Sequence, residues 1–313
     1  MRLKIIHGWR DIDPEHRGAA VALGEFDGVH KGHLGVIVAA ARAAQSLGTP
    51  LAVISFEPHP RRYFQPDARP FRLMTLDQQA RALDALGVDI FYVMAFDDEM
   101  AKMSDEAFAR QVLVEGLGAR HVAAGFDITF GAGRTGDPDA LRRYGERYGF
   151  SVSITERIGD EAAQKYSSSA VREALQVGRP DRAAEILGRP FAIEGVVVEG
   201  QHLGRTIGYP TANVGAGDYV RPKLGVYATR TRLPDGREVC GVANFGENPT
   251  TGLVEARLEV YLFDFDEDIY GQTIETDLVW FLRPELTFDG LDPMIKQIAD
   301  DVTEARNRLA PPF

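Results

Sequence analysis

Short apolar runs alternate with helical patterns along the first half of the chain. Five runs are apolar or β-branched and end at glycine, proline or charge, which is typical of buried strands. These predicted strands are Ala20–Leu23, Leu51–Phe56, Ile90–Phe96, His121–Ala124 and Val152–Thr155. The predicted helices are His33–Leu47, Leu76–Leu86, Ser104–Leu117 and Asp181–Leu187. Strands that alternate with helices predict βαβ units and a parallel sheet, which binds ligands at the carboxyl ends of its strands.

The pattern changes after Gly188, where helical periodicity is lost. Five further runs predict strands, namely Phe191–Val198, Val226–Leu233, Val239–Asn244, Leu258–Phe265 and Thr276–Leu282. Pro234-Asp235-Gly236 predicts a hairpin turn between two of them. Short strands with turn signals indicate an antiparallel barrel or sandwich, and only Leu291–Leu309 returns to a helical pattern. We therefore predict an α/β domain over residues 1–187 and an all-β domain with a terminal helix over residues 188–313.

Composition narrows the function classes. The 313 residues are 44% hydrophobic and 26% charged, as in soluble globular proteins, and the net charge of −11 disfavours a nucleic-acid partner. The single cysteine, Cys240, can form neither an internal disulfide nor a cysteine-based zinc site, which indicates a reducing compartment. No apolar stretch approaches the roughly 18 residues of a membrane span, and Met1 to Arg10 does not resemble a secretion signal. We expect a cytoplasmic protein with no membrane partner.

A glycine- and histidine-rich segment follows the predicted strand Ala20–Leu23. Its sequence is Gly24-Glu25-Phe26-Asp27-Gly28-Val29-His30-Lys31-Gly32-His33. Gly28 and Gly32 allow the backbone to approach a ligand, and the N–H groups at a helix start favour a phosphate. His30 and His33 could donate to phosphate oxygens as charge develops during a displacement at phosphorus. The alternative is a glycine-rich turn with two structural histidines.

This segment resembles the His-x-Gly-His signature of the nucleotidyltransferases, and in particular FMN adenylyltransferases. Three later stretches also resemble that family: Phe56-Glu57-Pro58-His59-Pro60, Gly125 to Gly131 with Arg134-Thr135-Gly136-Asp137, and Ser167-Ser168-Ser169-Ala170-Val171-Arg172. The resemblance implies a Rossmann-like domain in which His30 and His33 stabilise the transition state and Arg172 acts on the leaving group. It further implies that ATP is bound by Gly24, Phe26, Asp27, Gly28, Gly32, Ser167, Ser168 and Ser169. The implied flavin contacts are Phe56, Pro58, Asp127 and Phe130.

Three positions depart from the family pattern. Glu25 stands where an uncharged residue is usual, Ile128 replaces an aromatic residue, and Ala170 stands where arginine is common. A carboxylate near a triphosphate is repulsive unless it points away or lies beside a cation.

The second half of the chain opens with another glycine-rich loop. Gly200, Gly204 and Gly208 could lay backbone N–H groups against phosphates, although no Gly-Lys-Ser/Thr of a Walker loop follows. Thr211 and Asn213 alternate with Ala212, so their side chains share one face if the backbone is extended. Two neutral oxygens suit Mg²⁺, which keeps few protein ligands. A glycine-rich loop alone is weak evidence for phosphate binding.

The longer string Gly204-Arg205-Thr206-Ile207-Gly208-Tyr209-Pro210-Thr211-Ala212-Asn213 resembles the signature of the riboflavin kinase domain. Further matches are Gly225 to Ala228, Asn244-Phe245-Gly246 with Asn248-Pro249-Thr250, Leu258 to Phe265, Asp268 to Gly271, and Leu282 to Glu285 with Phe288. Thr251 departs from the pattern, since an aromatic residue often stands there. The resemblance implies a β-barrel kinase with Glu259 as catalytic base and Mg²⁺ on Thr211 and Asn213. It places ATP at Gly200, Gly204, Arg205, Gly208 and Pro210, and the flavin at Tyr261 and Arg283. Alone, Glu259 could equally be a solvent-facing strand residue.

Together the two signatures identify the chain as a member of the bifunctional riboflavin kinase/FAD synthetase family. The resemblance implies phosphorylation of riboflavin to FMN and adenylylation of FMN to FAD, with ATP as co-substrate and no bound redox cofactor. We expect a monomer or a weak oligomer. The alternatives are that only one activity is retained, that the protein binds flavin without turnover, or that another nucleotidyltransferase is fused to an unrelated barrel. The departures at Glu25, Ile128 and Ala170 make the transferase the more doubtful activity.

Overall fold

A computed structural model describes residues 3–156, 159, 166–200, 204, 207–250 and 253–310, without the side chains of 248–250 and 253–255. Arg205 and Thr251 lie outside the described residues. The chain divides into two compact units, one of residues 1–68 and 76–167 and the other of residues 69–75 and 168–313. The domain boundary after residue 187 stays a prediction. No helix among the described residues is long and apolar enough to cross a membrane.

The first unit contains a six-stranded parallel sheet in the order β1-β4-β3-β2-β5-β6. Its strands are β1 (Lys4–His7), β2 (Ala20–Leu23), β3 (Leu51–Glu57), β4 (Ile90–Ala95), β5 (His121–Gly125) and β6 (Ser151–Thr155). The predicted parallel sheet is therefore confirmed. The predicted strand Ala20–Leu23 is observed as β2, and β1, which precedes it, was not predicted. Strand β1 is short and partly exposed at the sheet edge, so it lacks the apolar run of a central strand.

Helices flank this sheet. They are α1 (Lys31–Leu47), α2 (Pro60–Phe64), α3 (Leu76–Ala85), α4 (Asp98–Lys102), α5 (Asp105–Ala107) and α6 (Pro138–Tyr148). The predicted end of α1 is confirmed, since Gly48 closes the helix with φ 60°. The predicted helix Ser104–Leu117 begins as expected, since the Ser104 side chain accepts a hydrogen bond from the Ala107 N–H. Most of its length differs from an α-helix, because Phe108–Gly116 is a π-helix. Two short 3₁₀ turns lie at Pro14–His16 and Ala132–Arg134.

The second unit begins with two helices and continues as a closed antiparallel barrel in the order β10-β11-β8-β7-β12-β9. Its helices are α7 (Ser168–Gln176), α8 (Pro180–Leu187) and α9 (Leu291–Leu309). Its strands are β7 (Phe191–Val198), β8 (Ala212–Gly215), β9 (Gly225–Arg232), β10 (Glu238–Thr250), β11 (Leu253–Leu262) and β12 (Thr273–Arg283). The predicted barrel and terminal helix are confirmed. Strand β10 extends beyond its predicted range at both ends, whereas β11 begins five residues before the predicted Leu258 and ends at Leu262, before the predicted Phe265. The hairpin turn is also confirmed, since the Gly236 N–H donates to the Leu233 carbonyl at 2.9 Å.

Helix α9 covers part of the outer face of the barrel. Ala305 and Leu309 of this helix pack against buried residues of β9 and β10, among them Val226 and Val242. The residues one position along, such as Tyr227 and Ala243, are also buried. Strand side chains alternate between the two faces, so these strands are buried on both, which explains their continuous apolar runs. The covered outer face forms one wall of the second candidate site.

Two candidate active sites

The turn between β2 and α1 brings the first histidine to a helix N-terminus. Phe26 has φ 50°, Gly28 φ 92° and Val29 φ 41°, so the turn uses left-handed backbone at three positions. The Val29 N–H donates to the Phe26 carbonyl at 2.9 Å, which closes the turn. His30 then caps α1, because its Nδ1 accepts the His33 backbone N–H at 3.2 Å. This tight geometry follows a parallel strand, where ligand sites of such sheets lie.

The two histidines lie face to face at this helix start. The centroids of the His30 and His33 rings are 3.5 Å apart with an interplanar angle of 19°, and Phe26 meets His33 edge-on at 5.0 Å. His30 is 5% exposed and Phe26 is 1% exposed. Because His30 Nδ1 is an acceptor, its neutral ring carries the proton on Nε2. The site can therefore present an imidazole N–H to a phosphate oxygen, while Phe26 supports His33 from within the core.

A close backbone approach places the start of the serine run beside this helix. A Cβ atom at Gly32 would stand 2.5 Å from the Tyr166 carbonyl oxygen. The Lys31 ammonium also lies 5.6 Å from the centre of the Tyr166 ring. Ser167 follows Tyr166 in the chain, so the serine run predicted to hold phosphates begins next to the His-x-Gly-His segment.

Helix α7 carries the rest of the serine run and belongs to the second unit. It begins at Ser168 and includes Ser169 and Arg172. The Arg172 Nε donates to the Phe71 carbonyl at 2.7 Å, and its guanidinium carbon lies 5.6 Å from the centre of the Phe71 ring. These contacts orient the arginine, and its action on the leaving group stays a prediction.

An aromatic cavity of about 840 Å³ lies in the first unit, within the size range of small-molecule sites. Its aromatic lining residues are Phe56, Phe64, Phe96, Phe108 and Phe130. Gly24 and Ile128 also line it, whereas the predicted flavin contacts Pro58 and Asp127 are not among its described lining residues. An apolar cavity bounded by aromatic rings suits a flat heteroaromatic ring such as isoalloxazine.

Glu25, the unusual acid of the glycine-rich segment, lies in the wall of this cavity. Its carboxylate is 3.8 Å from the His59 Nε2. Because His59 Nδ1 accepts the Arg61 N–H at 3.0 Å, the neutral ring carries its proton on Nε2, toward Glu25. The Glu25 backbone carbonyl accepts from the Ser55 hydroxyl at 2.9 Å and from the Gln79 amide at 3.0 Å. These contacts hold Glu25 in a fixed position with an imidazole N–H facing its charge.

The barrel aligns three polar residues of the second candidate site. Glu259 on β11 pairs with Asn213 on β8 and with Asn244 on β10. Directly paired residues point to the same face of a sheet, so the three side chains form a row across neighbouring strands. Thr211 precedes Asn213 by two residues, and the Asn213 amide donates to its carbonyl at 3.4 Å. The sequence predicted Asn213 and Glu259 as site residues, and the register makes them neighbours.

Gly200 and Gly204, two described glycines of the predicted nucleotide loop, lie close to Asn213 and Thr211. A Cβ at Gly200 would overlap the Asn213 side-chain amide, and a Cβ at Gly204 would stand 3.6 Å from the Thr211 hydroxyl and would overlap the Tyr209 carbonyl oxygen. Gly208 has φ 87° and leads into Pro210. Glycine is therefore required at position 200 by Asn213 and at position 204 by the backbone of Tyr209.

The electrostatic environment of Glu259 suits a base. Burial raises the pKa of its carboxyl, Arg257 opposes that rise, and the negative charge of Glu285 adds to it. A glutamate with a raised pKa is a stronger base once ionised, and its pKa lies nearer neutral pH.

Glu259 opens into a cavity of about 540 Å³ that α9 closes on one side. Tyr261 and Arg283, the predicted flavin contacts, line it together with Met294, Ile298 and Asp301 of α9. The Arg283 guanidinium binds Asp301 through two bonds, Nε to Oδ1 at 2.8 Å and Nη2 to Oδ2 at 2.7 Å. Asp301, Asn244 and Glu285 were not predicted as site residues, because they meet only after the barrel closes and α9 packs on it.

Comparison with known proteins identifies the family. A family model described as FAD synthetase matches residues 12–170, and one described as riboflavin kinase matches residues 187–309. A bifunctional riboflavin kinase/FMN adenylyltransferase of Haemophilus influenzae is 38% identical over 304 residues, which cover 97% of this chain and 98% of the relative. The protein of the same name from Pseudomonas fluorescens is 38% identical over 310 residues, which cover 99% of both chains.

A solved structure shares the whole fold. It comes from Streptococcus pneumoniae, is titled a macrolide-efflux protein, and superposes with a TM-score of 0.86 at 31% identity. The match covers 99% of this chain and 100% of the other. The two family models match in order along the chain, and the relatives match over nearly their full length. This chain therefore belongs to the family of bifunctional riboflavin kinase/FMN adenylyltransferases, enzymes that convert riboflavin to FMN and FMN to FAD with ATP.

Proposed function

We propose that the barrel cavity is the site of riboflavin phosphorylation, and that the stacked histidines and the aromatic cavity of the first unit serve the adenylylation of FMN. The row of Asn213, Glu259 and Asn244 is the observation that carries this assignment, because it puts a carboxylate of raised pKa beside two neutral amides. A phosphoryl transfer to an alcohol needs a base for the hydroxyl proton and neutral ligands for the metal of Mg-ATP.

In the kinase reaction, the ribityl 5′-hydroxyl attacks the γ-phosphorus of ATP, Glu259 accepts its proton, and ADP leaves as the bond between the γ-phosphorus and the β,γ-bridging oxygen breaks. The Thr211 hydroxyl and the Asn213 amide oxygen are donors of the kind that Mg²⁺ prefers, and the register places Asn213 next to Glu259. When bound there, Mg²⁺ would neutralise charge on the transferring phosphate. Backbone N–H groups near Gly200 and Gly204 would hold the remaining phosphates.

In the adenylyltransferase reaction, the FMN phosphate attacks the α-phosphorus of ATP and pyrophosphate leaves. No covalent nucleophile of the protein is needed, so catalysis comes from positioning and charge stabilisation. His30 and His33 would donate N–H groups to the α-phosphate. Ser168, Ser169 and Arg172 would hold the leaving pyrophosphate, since a helix start and an arginine both favour phosphate. The aromatic cavity would hold the isoalloxazine ring through Phe56 and Phe130.

Two single substitutions in the full chain separate these assignments. With riboflavin, ATP and Mg²⁺, chromatography of the Glu259→Ala variant should show no FMN formed, while added FMN is still converted to FAD. The His33→Ala variant should form FMN and no FAD. The assignment is refuted if Glu259→Ala retains riboflavin phosphorylation or if His33→Ala retains FAD formation. Under the alternative that the protein binds flavin without turnover, the unsubstituted chain would form neither FMN nor FAD.

A further inference from the structure

Two polar side chains extend the row beyond Glu259. Asn244, the cross-strand neighbour of Glu259, donates its side-chain amide N–H to the Glu285 Oε1 at 3.3 Å. Asn244, Glu259 and Glu285 all line the barrel cavity. The cavity therefore contains a second carboxylate, and the reaction chemistry needs only one base.

The backbone next to Glu285 is anchored by Arg283, and the Glu285 side chain lies over Gly246. Arg283, two residues earlier, binds Asp301 of α9 and also donates from Nη1 to the Pro284 carbonyl at 2.9 Å. On the other side, a Cβ at Gly246 would stand 2.8 Å from the Glu285 Oε1 and 3.1 Å from the Asn244 Nδ2. Glu285 thus lies across Gly246, where any side chain would displace it.

The cavity lining combines polar and apolar side chains. Glu259, the proposed base, and Thr211, the candidate metal ligand, line the cavity, and Leu286, Phe288 and Met294 supply apolar surface. Riboflavin likewise combines a reactive 5′-hydroxyl, a flat aromatic ring system, and secondary hydroxyls at C2′, C3′ and C4′ between them. An exposed carboxylate and an amide next to the base are suited to hydroxyl groups of this kind.

We propose that Asn244 and Glu285 recognise the secondary hydroxyls of the ribityl chain and so determine substrate specificity in the kinase site. The Glu285 carboxylate accepts hydrogen bonds from these hydroxyls, and Asn244 holds the carboxylate in position and can bond a hydroxyl through its amide oxygen. A site built to bond hydroxyls discriminates against an analogue that lacks them, because its polar groups then lose their partners. The inference rests on the proposed assignment of the barrel cavity to riboflavin phosphorylation.

The test compares riboflavin with a flavin whose N10 substituent is a 5-hydroxypentyl chain. This analogue keeps the reactive terminal hydroxyl and lacks the secondary ones. The ratio of kcat/KM for riboflavin to kcat/KM for the analogue is measured in the full chain, at a pH where Glu259 is ionised in every variant. In Glu285→Ala the ratio should fall about tenfold, because hydrogen bonds to a charged acceptor are lost for riboflavin alone. Asn244→Ala should lower the ratio in the same direction.

Two further variants make the outcome decisive. Glu285→Gln keeps the shape and an accepting oxygen, so it should lower the ratio less, and it tests the proposal if the alanine variant does not fold. Asp289→Asn removes an exposed charge in the same loop outside the cavity lining and should leave the ratio unchanged. The proposal is overturned if this ratio is unchanged in Glu285→Ala, Glu285→Gln and Asn244→Ala. An equal fall in kcat/KM for riboflavin and for the analogue leaves the ratio unchanged and counts as the same outcome. If Glu259→Ala still phosphorylates riboflavin, the assignment of the cavity fails instead.

Discussion

Gly32 and Tyr166 meet backbone to backbone, so closely that a Cβ at position 32 would stand 2.5 Å from the Tyr166 carbonyl oxygen. The same Cβ would stand 3.0 Å from the His30 ring. The glycine between the two histidines is therefore required by the segment that leads into Ser167, in addition to any need of a bound nucleotide. This relationship ties two sequence motifs together that are far apart in the chain.

We predict that Gly32→Ala lowers kcat/KM for FMN adenylylation at least about tenfold, because a clash with backbone cannot be relieved by a side-chain rotation. Riboflavin phosphorylation should change little. Gly215→Ala is the matched control, since its added methyl group meets open space. Both rates are measured in each variant by chromatography of the flavins. Wild-type FAD formation in Gly32→Ala would contradict the required close approach.

His30 caps α1, and we propose a chemical role for it as well; two substitutions separate the two roles. His30→Ala removes both the imidazole and the cap of α1, whereas His30→Asn removes the imidazole but supplies another capping side chain. Both variants should lose FAD formation. Only His30→Ala should lower the free energy of unfolding, by about 1 kcal/mol, as followed by urea denaturation. If His30→Asn forms FAD at the wild-type rate, His30 acts as a cap alone.

The sequence predicted most of the elements whose pattern is local. Helix α1 and the terminal helix α9 have clear periodicity, and the hairpin turn at Pro234 has a characteristic composition. Helix α6 was not predicted, although Asp137 caps it and Gly149 ends it with φ 85°. Most of its residues are charged or polar, and the positions that it buries, Ala140, Leu141 and Gly145, do not form a continuous apolar run. Strand β8 was also not predicted as a strand, because its four residues include the polar Asn213 and a terminal glycine and so form no apolar run.

The site residues also fall into two groups, those that lie within local motifs and those that only the fold brings together. His30, His33, Thr211 and Asn213 lie within short motifs, so spacing along the chain was enough to select them. The family prediction that these motifs supported is confirmed. Asn244 and Glu285 are 41 positions apart, and their contact depends on the barrel register and on the docking of α9. Both residues lie in stretches that resemble the kinase domain, but nothing within either stretch indicates that the two side chains meet.

With Glu259 as the proposed base, the rate of riboflavin phosphorylation should depend on pH. A base must be ionised to accept a proton, and burial raises the pKa of Glu259, so activity should begin to fall at a higher pH than with an ordinary glutamate. Glu285→Gln removes a negative neighbour, lowers the pKa of Glu259 and moves the acidic limb of kcat to lower pH. Arg257→Gln removes a positive neighbour and moves it to higher pH. The measurement is the pH profile of kcat for riboflavin phosphorylation. If the acidic limb lies at the same pH in the wild type and in both variants, a group other than Glu259 controls the rate.

Asp301 connects the terminal helix to the kinase cavity. It is 5% exposed, binds the Arg283 guanidinium through two oxygens and accepts from the Gln297 amide at 3.0 Å. Asp301→Ala leaves the largely buried Arg283 charge without its partner, so we expect a loss of about 3 kcal/mol in the free energy of unfolding. The KM for riboflavin should rise while the KM for ATP stays close to the wild-type value, because α9 lines the cavity that we assign to the flavin.

A paired substitution distinguishes positioning from stability for Asp301. Replacing both partners, as Arg283→Met with Asp301→Leu, removes the unpaired charge and should recover most of the lost stability. The KM for riboflavin should stay high, because the guanidinium that lines the cavity is absent. Asp300→Ala, at the exposed neighbouring position of α9, should change neither quantity. If the paired variant restores the KM together with the stability, Asp301 contributes to folding and not to the orientation of Arg283 toward the flavin.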